Sequence, residues 1–98
     1  MDDFKKEIIV RKDKSTGEVI IFWCDMRANR TNICSNEVIS ENSLMSGSEA
    51  SLEYMSDNCI PSTQEEKDMA IKAIKYVYDE DYTVREKLTD KIKKQIWY

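Results

Sequence analysis

The chain has 98 residues, 41% of them hydrophobic and 35% charged, and its formal net charge is −4 at pH 7. This length suits one ordinary domain, and the 2 tryptophans, 5 tyrosines and 2 phenylalanines, with only 2 glycines and 1 proline, exclude a disordered composition. The acidic balance argues against direct binding of nucleic acid, because such binding depends on clustered lysine and arginine.

Residues 1–25 predict a β-hairpin. Two β-branched, apolar runs, Ile8 to Val10 and Val19 to Trp23, flank a polar stretch that ends in Thr16-Gly17. The second run is apolar at every position, which predicts a central strand covered on both faces.

Residues 31–60 form an acidic, serine-rich segment without lysine or arginine. Its apolar pieces, Ile33-Cys34 and Val38-Ile39, indicate a third strand. The stretch SGSEASLEYMSDN that follows fits either a short strand or a short helix with Leu52 and Met55 facing inward.

Residues 62–80 predict the main helix. A capping box is available from Ser62 with Glu65 or from Thr63 with Glu66. The acidic run that starts at Asp79 disfavours a longer helix, because the helix macrodipole prefers cations at its C-terminus. The inward face is predicted from residues at three-and-four spacing, namely Ala70, Ala73, Ile74, Val77 and Tyr78.

The C-terminal element, residues 83–96, can be read in two ways. Apolar residues that step by four from Val84 to Ile96, after a possible capping box of Thr83 with Glu86, favour a helix. The spacing of Tyr82, Val84 and Leu88 also fits a strand. The predicted fold class over residues 1–98 is a single α+β domain. Its small antiparallel sheet, the hairpin plus one or two short strands, packs against one long helix, with a smaller C-terminal helix or strand.

The cysteines and the absence of histidine limit the chemistry. Cys24, Cys34 and Cys59 are an odd number without paired spacing, which favours free thiols in a reducing compartment. With no histidine, a Ser-His-Asp triad is excluded and a zinc site is disfavoured. The chain also has no apolar run of about 18 residues and no signal-peptide pattern at its start. We therefore expect a cytoplasmic, non-enzymatic protein without cofactor, metal or membrane contact.

Several features in order along the chain resemble a group of small uncharacterised proteins of bacteria, bacteriophages and mobile elements. The matching positions are Arg11-Lys12, Gly17-Glu18, Phe22-Trp23, Asp25, Ile33-Cys34, Tyr54 and Pro61 to Glu66. A Gly-Gln-His element that the group often carries is missing here. The resemblance implies a small accessory gene of the kind that phages carry, and it implies no reaction.

Five carboxylates of the acidic segment are the main candidates for a partner site. They are spaced by four, eight, four and four residues, and they are Glu37, Glu41, Glu49, Glu53 and Asp57. One interpretation is a solvated surface that keeps the protein soluble, and the other is a negative patch that attracts a basic partner surface. Trp97 and Tyr98 at the end of the chain fit either a packed tail or an anchor for a partner or for self-association into a homo-oligomer.

The functional expectation is a non-enzymatic accessory protein from a phage or mobile element. It would bind, and inhibit, a host protein of defence or nucleic-acid handling through an acidic surface. The alternative is a protein that binds or sequesters a small ligand such as a nucleotide signal, based on the basic and aromatic residues Arg27, Arg30, Lys93, Trp23 and Trp97.

Overall fold

The computed structural model describes residues 6–27, 29 and 31–85, and this part of the chain contains seven strands and one α-helix. The strands are β1 (Glu7–Asp13), β2 (Val19–Arg27), β3 (Asn32–Ser40), β4 (Ser43–Leu44), β5 (Ser48–Ser51), β6 (Cys59–Pro61) and β7 (Thr83–Val84). The helix α1 spans Gln64–Tyr78, and a π-helical turn, Tyr54–Asn58, lies between β5 and β6.

All seven strands join one mixed sheet with the order β4-β3-β2-β1-β6. The strand β5 also pairs with β3, and β7 pairs with β1 as the parallel member of an otherwise antiparallel set. The strand β2 is therefore hydrogen-bonded on both sides, to β1 and to β3. Its unbroken apolar run predicts this central position, which the structure confirms.

The predicted hairpin of β1 and β2 is also confirmed. Its turn is held by the carboxylate of Asp13, which accepts hydrogen bonds from the backbone amides of Ser15 (2.8 Å) and Thr16 (3.1 Å). Gly17 follows with a φ of 79°, a left-handed conformation that glycine adopts without steric cost. The turn is thus determined by residues close together in the sequence.

One face of the sheet packs against α1, and we call it the helix face. Side chains alternate along a strand, so every second residue of β1 and β2 reaches this face. The helix contributes Ala70, Ala73 and Ile74, each with no exposed surface. They meet a buried layer of strand residues that consists of Ile8, Val10, Ile21, Trp23 and Val38.

The intervening residues of the same strands form a second core on the opposite face. Phe22 and Ile33 are fully buried there, with Ile9 and Cys24 beside them. The cover comes from Met55 in the π-helical turn, from Cys59 at the start of β6, and from their neighbours. We call this side the acidic face, because the strand positions of Asp13, Glu18 and Glu37 place their carboxyl groups on it. The prediction that β2 is covered on both faces is confirmed.

The helix α1 begins and ends at strong local signals. Thr63 is its N-cap: the Thr63 hydroxyl accepts a hydrogen bond from the Glu66 amide, and the Glu66 carboxylate accepts one from the Thr63 amide. The helix ends at Asp79, which adopts a left-handed φ of 56° and donates its amide hydrogen to the Lys75 carbonyl. Val77 and Tyr78, predicted to face inward, are 44% and 51% exposed, so the buried stripe ends at Ile74.

The predicted fold class is wrong in its balance of strand and helix. The structure is a strand-dominated mixed sheet of seven strands with one helix of 15 residues, and the sheet is larger than a hairpin plus one or two strands. The acidic segment provides most of the difference, and β7 adds a further strand after the helix. The segment forms four strands: β3 pairs with β2, β4 and β5 pair with β3, and β6 pairs with β1, so each gains backbone hydrogen bonds from a strand already in the sheet.

The sequence left two segments open between strand and helix, namely the stretch after Gly47 and the C-terminal element. The stretch after Gly47 was predicted to be either a short strand or a short helix, and it contains both: the strand β5 comes first and the π-helical turn follows. Met55 is fully buried, as expected. Of the C-terminal element, Thr83–Val84 is a short strand parallel to β1. Residues 86–96 of that element lie outside the described residues. Within the part of the chain that the structure describes, no helix has the length and apolar character needed to cross a membrane.

Candidate functional site

A cavity of about 390 Å³ opens on the acidic face, between β2, β3 and β5. Its lining combines two glutamates with four serine side chains and the ring of Tyr54, over an apolar floor that includes Ile20. Among the described residues, neither lysine nor arginine lines it. The cavity therefore offers hydrogen-bond acceptors and negative charge without a built-in counter-ion.

The strand register explains why Glu37 reaches this cavity. Glu37 on β3 lies opposite Ile20 on β2, and Ile20 packs on the core of the acidic face. Side chains of directly paired residues lie on the same side of a sheet. Glu18 precedes Ile20 by two residues, so its side chain reaches the same side.

The carboxyl groups of Glu18 and Glu37 are in contact, close enough that each shifts the pKa of the other. This contact raises the pKa of Glu37, with burial and the negative charge of Glu18 acting in the same direction. The same contact lowers the pKa of Glu18. Two carboxylates so close repel each other. A lysine or arginine side chain that reaches this pair relieves that repulsion.

Asp13 and Tyr54 form a second polar contact on the acidic face. The Tyr54 hydroxyl donates to the Asp13 carboxylate at 2.5 Å, and this bond is the main reason that the pKa of Asp13 is lowered. Burial, together with the same bond, raises the pKa of Tyr54. The Tyr54 ring also packs against Phe22 with a centroid distance of 6.3 Å. Tyr54 thus joins the core to the anionic surface.

The structure separates the five predicted carboxylates. Glu37 lies on the acidic face. Glu49 on β5 is paired with Cys34 on β3, whose side chain packs toward the helix face. Glu49 borders the cavity from the edge of the sheet, and its carboxylate accepts a hydrogen bond from the Asn32 side-chain amide. Glu53 and Asp57 are exposed, in the segment that covers the acidic face.

Glu41 belongs to a different surface. It lies in the turn between β3 and β4, where its carboxylate is 3.9 Å from the ammonium group of Lys72 on α1. Trp97 and Tyr98, the other two predicted partner residues, lie outside the described residues. The five carboxylates are therefore distributed over more than one surface, and their role in partner binding stays a prediction.

Sequence reasoning missed Asp13, Glu18 and Tyr54 as site residues. Glu18 and Glu37 are far apart in the chain, and their contact requires the register of β2 against β3. The available signal was the alternation itself: Glu18 has the same parity as Ile20 and Phe22, so it shares their side of the strand.

Two of the cysteines, Cys24 and Cys59, offer little reactivity. Burial raises the pKa of Cys24 to about 12 and also raises that of Cys59, so both thiols stay protonated at neutral pH and are poor nucleophiles. Within residues 6–27, 29 and 31–85, no group of three or more cysteine and carboxylate side chains is arranged to hold a metal ion. The acidic face presents carboxyl and hydroxyl groups, which can accept hydrogen bonds.

Comparison of the chain with protein-family models, curated proteins and solved structures finds no match.

Proposed function

We propose that the chain is a non-enzymatic protein that binds a protein partner with a basic surface through its acidic face. The single observation that carries this proposal is the Glu18–Glu37 carboxyl pair beside a cavity whose described lining has no lysine or arginine. A lysine or arginine side chain of the partner supplies the missing positive charge, and an arginine can engage two carboxylates at once.

The partner class that this chemistry suits is a host protein with a basic groove for nucleic acid. An anionic surface occupies such a groove by the same charge attraction that holds phosphates, so binding would exclude nucleic acid and inhibit the host protein. The resemblance to small phage and mobile-element proteins supports this role in defence or nucleic-acid handling.

The nucleotide-binding alternative gains no support at Trp23. This ring is 3% exposed, and its indole N–H donates to Asn36 at 2.7 Å, so it is not free to stack on a base. Arg30, Lys93, Trp97 and the side chain of Arg27 lie outside what the structure describes. We therefore retain the protein-binding proposal.

The experiment that tests the proposal compares two variants with equal changes in net charge. Glu18→Gln/Glu37→Gln removes the carboxyl pair and keeps side-chain shape. Glu65→Gln/Asp81→Asn removes two exposed carboxylates on α1 and after it. Each protein is titrated with a fluorescent arginine-rich peptide, and each is used for affinity capture from host lysate.

We expect the peptide to bind the wild type and the α1 control with similar affinity and to bind the Glu18/Glu37 variant at least about tenfold more weakly. Added salt should weaken the wild-type interaction. Any host protein captured by the wild type and lost with the Glu18/Glu37 variant should then be released by competing nucleic acid. Equal binding by all three proteins, or binding that ignores salt, would contradict the proposal.

A further inference from the structure

A second cavity, of about 460 Å³, lies on the helix face at the end of α1. Three aromatic rings form its wall, those of Trp23, Tyr78 and Tyr82. The Trp23 ring meets the Tyr82 ring at a centroid distance of 5.0 Å and the Tyr78 ring at 5.8 Å, nearly perpendicular in both cases. Glu80 is the one carboxylate among the described lining residues, and lysine and arginine do not occur among them. This second cavity is the aromatic pocket.

The aromatic pocket is rigidly built. The Trp23 ring is held in place by the hydrogen bond that its indole N–H donates to Asn36. The Asn36 amide group donates in turn to the Met45 carbonyl. The Tyr82 hydroxyl donates to Asp25 at 2.9 Å. Tyr78 is 51% exposed and stands at the mouth. A ligand would therefore meet preset aromatic walls instead of having to order them, which lowers the entropic cost of binding.

Three independent features give this pocket a preference for positive charge. Aromatic faces attract cations through the ring quadrupole. The Glu80 carboxylate adds a formal negative charge. Tyr78 is the last residue of α1, so the pocket also lies beside the negative end of the helix dipole. A phosphate-bearing ligand would find no lining cation there.

The chain's own ammonium group already uses part of this site. The Lys6 Nζ lies 5.6 Å from the centre of the Tyr82 ring and forms an ion pair with Glu80. The backbone holds Lys6 at this position, because its carbonyl accepts a hydrogen bond from the Thr83 amide at 3.0 Å. Lys6 does not itself line the pocket, but its contacts show that two lining residues, Tyr82 and Glu80, attract an ammonium group.

We propose that the aromatic pocket binds an organic ammonium cation, with the methylated head group of choline as the simplest example. Tyr78 and Tyr82 contact the methyl groups and Glu80 balances the charge. Lys6 competes for the Tyr82 ring and for Glu80, so it limits the affinity. This site lies on the other side of the sheet from the acidic cavity, and neither proposal depends on the other.

The test uses choline and its uncharged isostere, 3,3-dimethyl-1-butanol, at constant ionic strength. The chain has 2 tryptophans, so a Trp97→Phe background leaves Trp23 as the single indole N–H signal in the NMR spectrum. We expect a saturable shift of this signal with choline and about tenfold weaker binding of the isostere, since cation–π contacts depend on the charge.

Three variants in the same background locate the site. Tyr78→Ala should weaken choline binding about tenfold, because it removes an aromatic wall. Tyr76→Ala, at a side chain that is 72% exposed and does not line the pocket, should leave binding unchanged. Lys6→Ala should strengthen binding several-fold, because it frees both Tyr82 and Glu80.

Four results would overturn the proposal. The first is the absence of a saturable shift with choline, and the second is equal affinity for the uncharged isostere. The third is a Lys6→Ala variant that binds choline no more tightly than the background. The fourth is a Trp23 signal that responds to adenosine monophosphate instead of choline, which would assign the pocket to nucleotides.

Discussion

The two faces of the sheet are built from the same three strands, yet they differ in what covers them. On the helix face, a continuous 15-residue helix brings small and branched side chains down onto the strands, and the layer closes around Ile74. On the acidic face, a strand edge and a π-helical turn cover the core around Phe22 and leave a cavity beside the carboxyl pair. The helix thus closes its face along its own length and leaves a cavity only beyond its last residue, Tyr78, whereas the irregular cover leaves a cavity beside the core itself.

The strongest test of this comparison removes one fully buried side chain from each cover. Met55→Ala on the acidic face and Ile74→Ala on the helix face should each reduce the free energy of unfolding by about 2–5 kcal/mol, since both side chains have no exposed surface. Urea unfolding followed by circular dichroism measures both losses. A loss under about 1 kcal/mol for Met55→Ala alone would mean that the irregular cover does not share in the core.

A smaller effect is expected at the start of α1. Thr63→Ala removes the hydroxyl that accepts the Glu66 amide hydrogen and should cost about 1 kcal/mol of unfolding free energy. Thr63→Ser keeps that hydroxyl and should retain most of the stability. If both variants unfold at the same urea concentration, the cap does not hold the helix-face cover in place.

The acidic face should also show a distinctive pH dependence. Asp13 has a lowered pKa, so its contribution to stability is present above the unfolded-state pKa and is lost as pH falls through the folded-state pKa. Tyr54→Phe removes the main cause of that lowering. The variant should therefore be less stable than the wild type near neutral pH, and the difference should shrink in strong acid.

Urea unfolding across the acidic pH range measures this difference. Tyr76→Phe, at an exposed tyrosine of the helix, is the matched control and should follow the wild type at every pH. If the difference in unfolding free energy between Tyr54→Phe and the wild type stays constant down to strong acid, the effect comes from packing against Phe22 and not from the Asp13 carboxylate.

The smallest effect concerns ion pairs that join α1 to the sheet. Glu41 and Lys72 are 3.9 Å apart with more than 60% of each side chain exposed, so a double-mutant cycle should give a coupling below about 0.5 kcal/mol. The pair of Lys12 and Glu66 is closer, at 2.8 Å, and less exposed, so its coupling should be larger. A larger coupling energy for Glu41 and Lys72 than for Lys12 and Glu66 would show that the turn between β3 and β4, and not the start of α1, contributes more to holding the helix on the sheet.

The sequence predicted the elements whose signals are local. The hairpin follows from two apolar runs and a turn at Gly17, and the helix follows from the box of Thr63 and Glu66 and the stop at Asp79. Each signal acts over a few residues, so pattern reasoning is enough. The number of strands was underestimated because β4 and β7 have only two residues each and gain their stability from a neighbouring strand.

The candidate site was predicted less well. Of the five carboxylates proposed, Glu37 has its carboxyl group in the central contact, and Glu41 turned out to pair with the helix. Spacing along the chain groups acidic residues as if they shared a helix. In a sheet, neighbours are chosen by register, and a shift of one residue moves a side chain to the other face.

By itself, the sequence determined that β2 is buried on both faces and that a helix starts just after Pro61 and stops near Asp79, because these depend on hydrophobic runs and caps within a short stretch of chain. The structure selected Thr63 over Ser62 as the cap. The tertiary structure decided that Glu18 meets Glu37, that Tyr54 binds Asp13, and that the rings around Trp23 enclose a pocket beside Glu80. These contacts join residues from 19 positions apart, for Glu18 and Glu37, to 59 positions apart, for Trp23 and Tyr82. They exist because strand pairing and helix packing fix the distances between segments, and no local pattern encodes those distances.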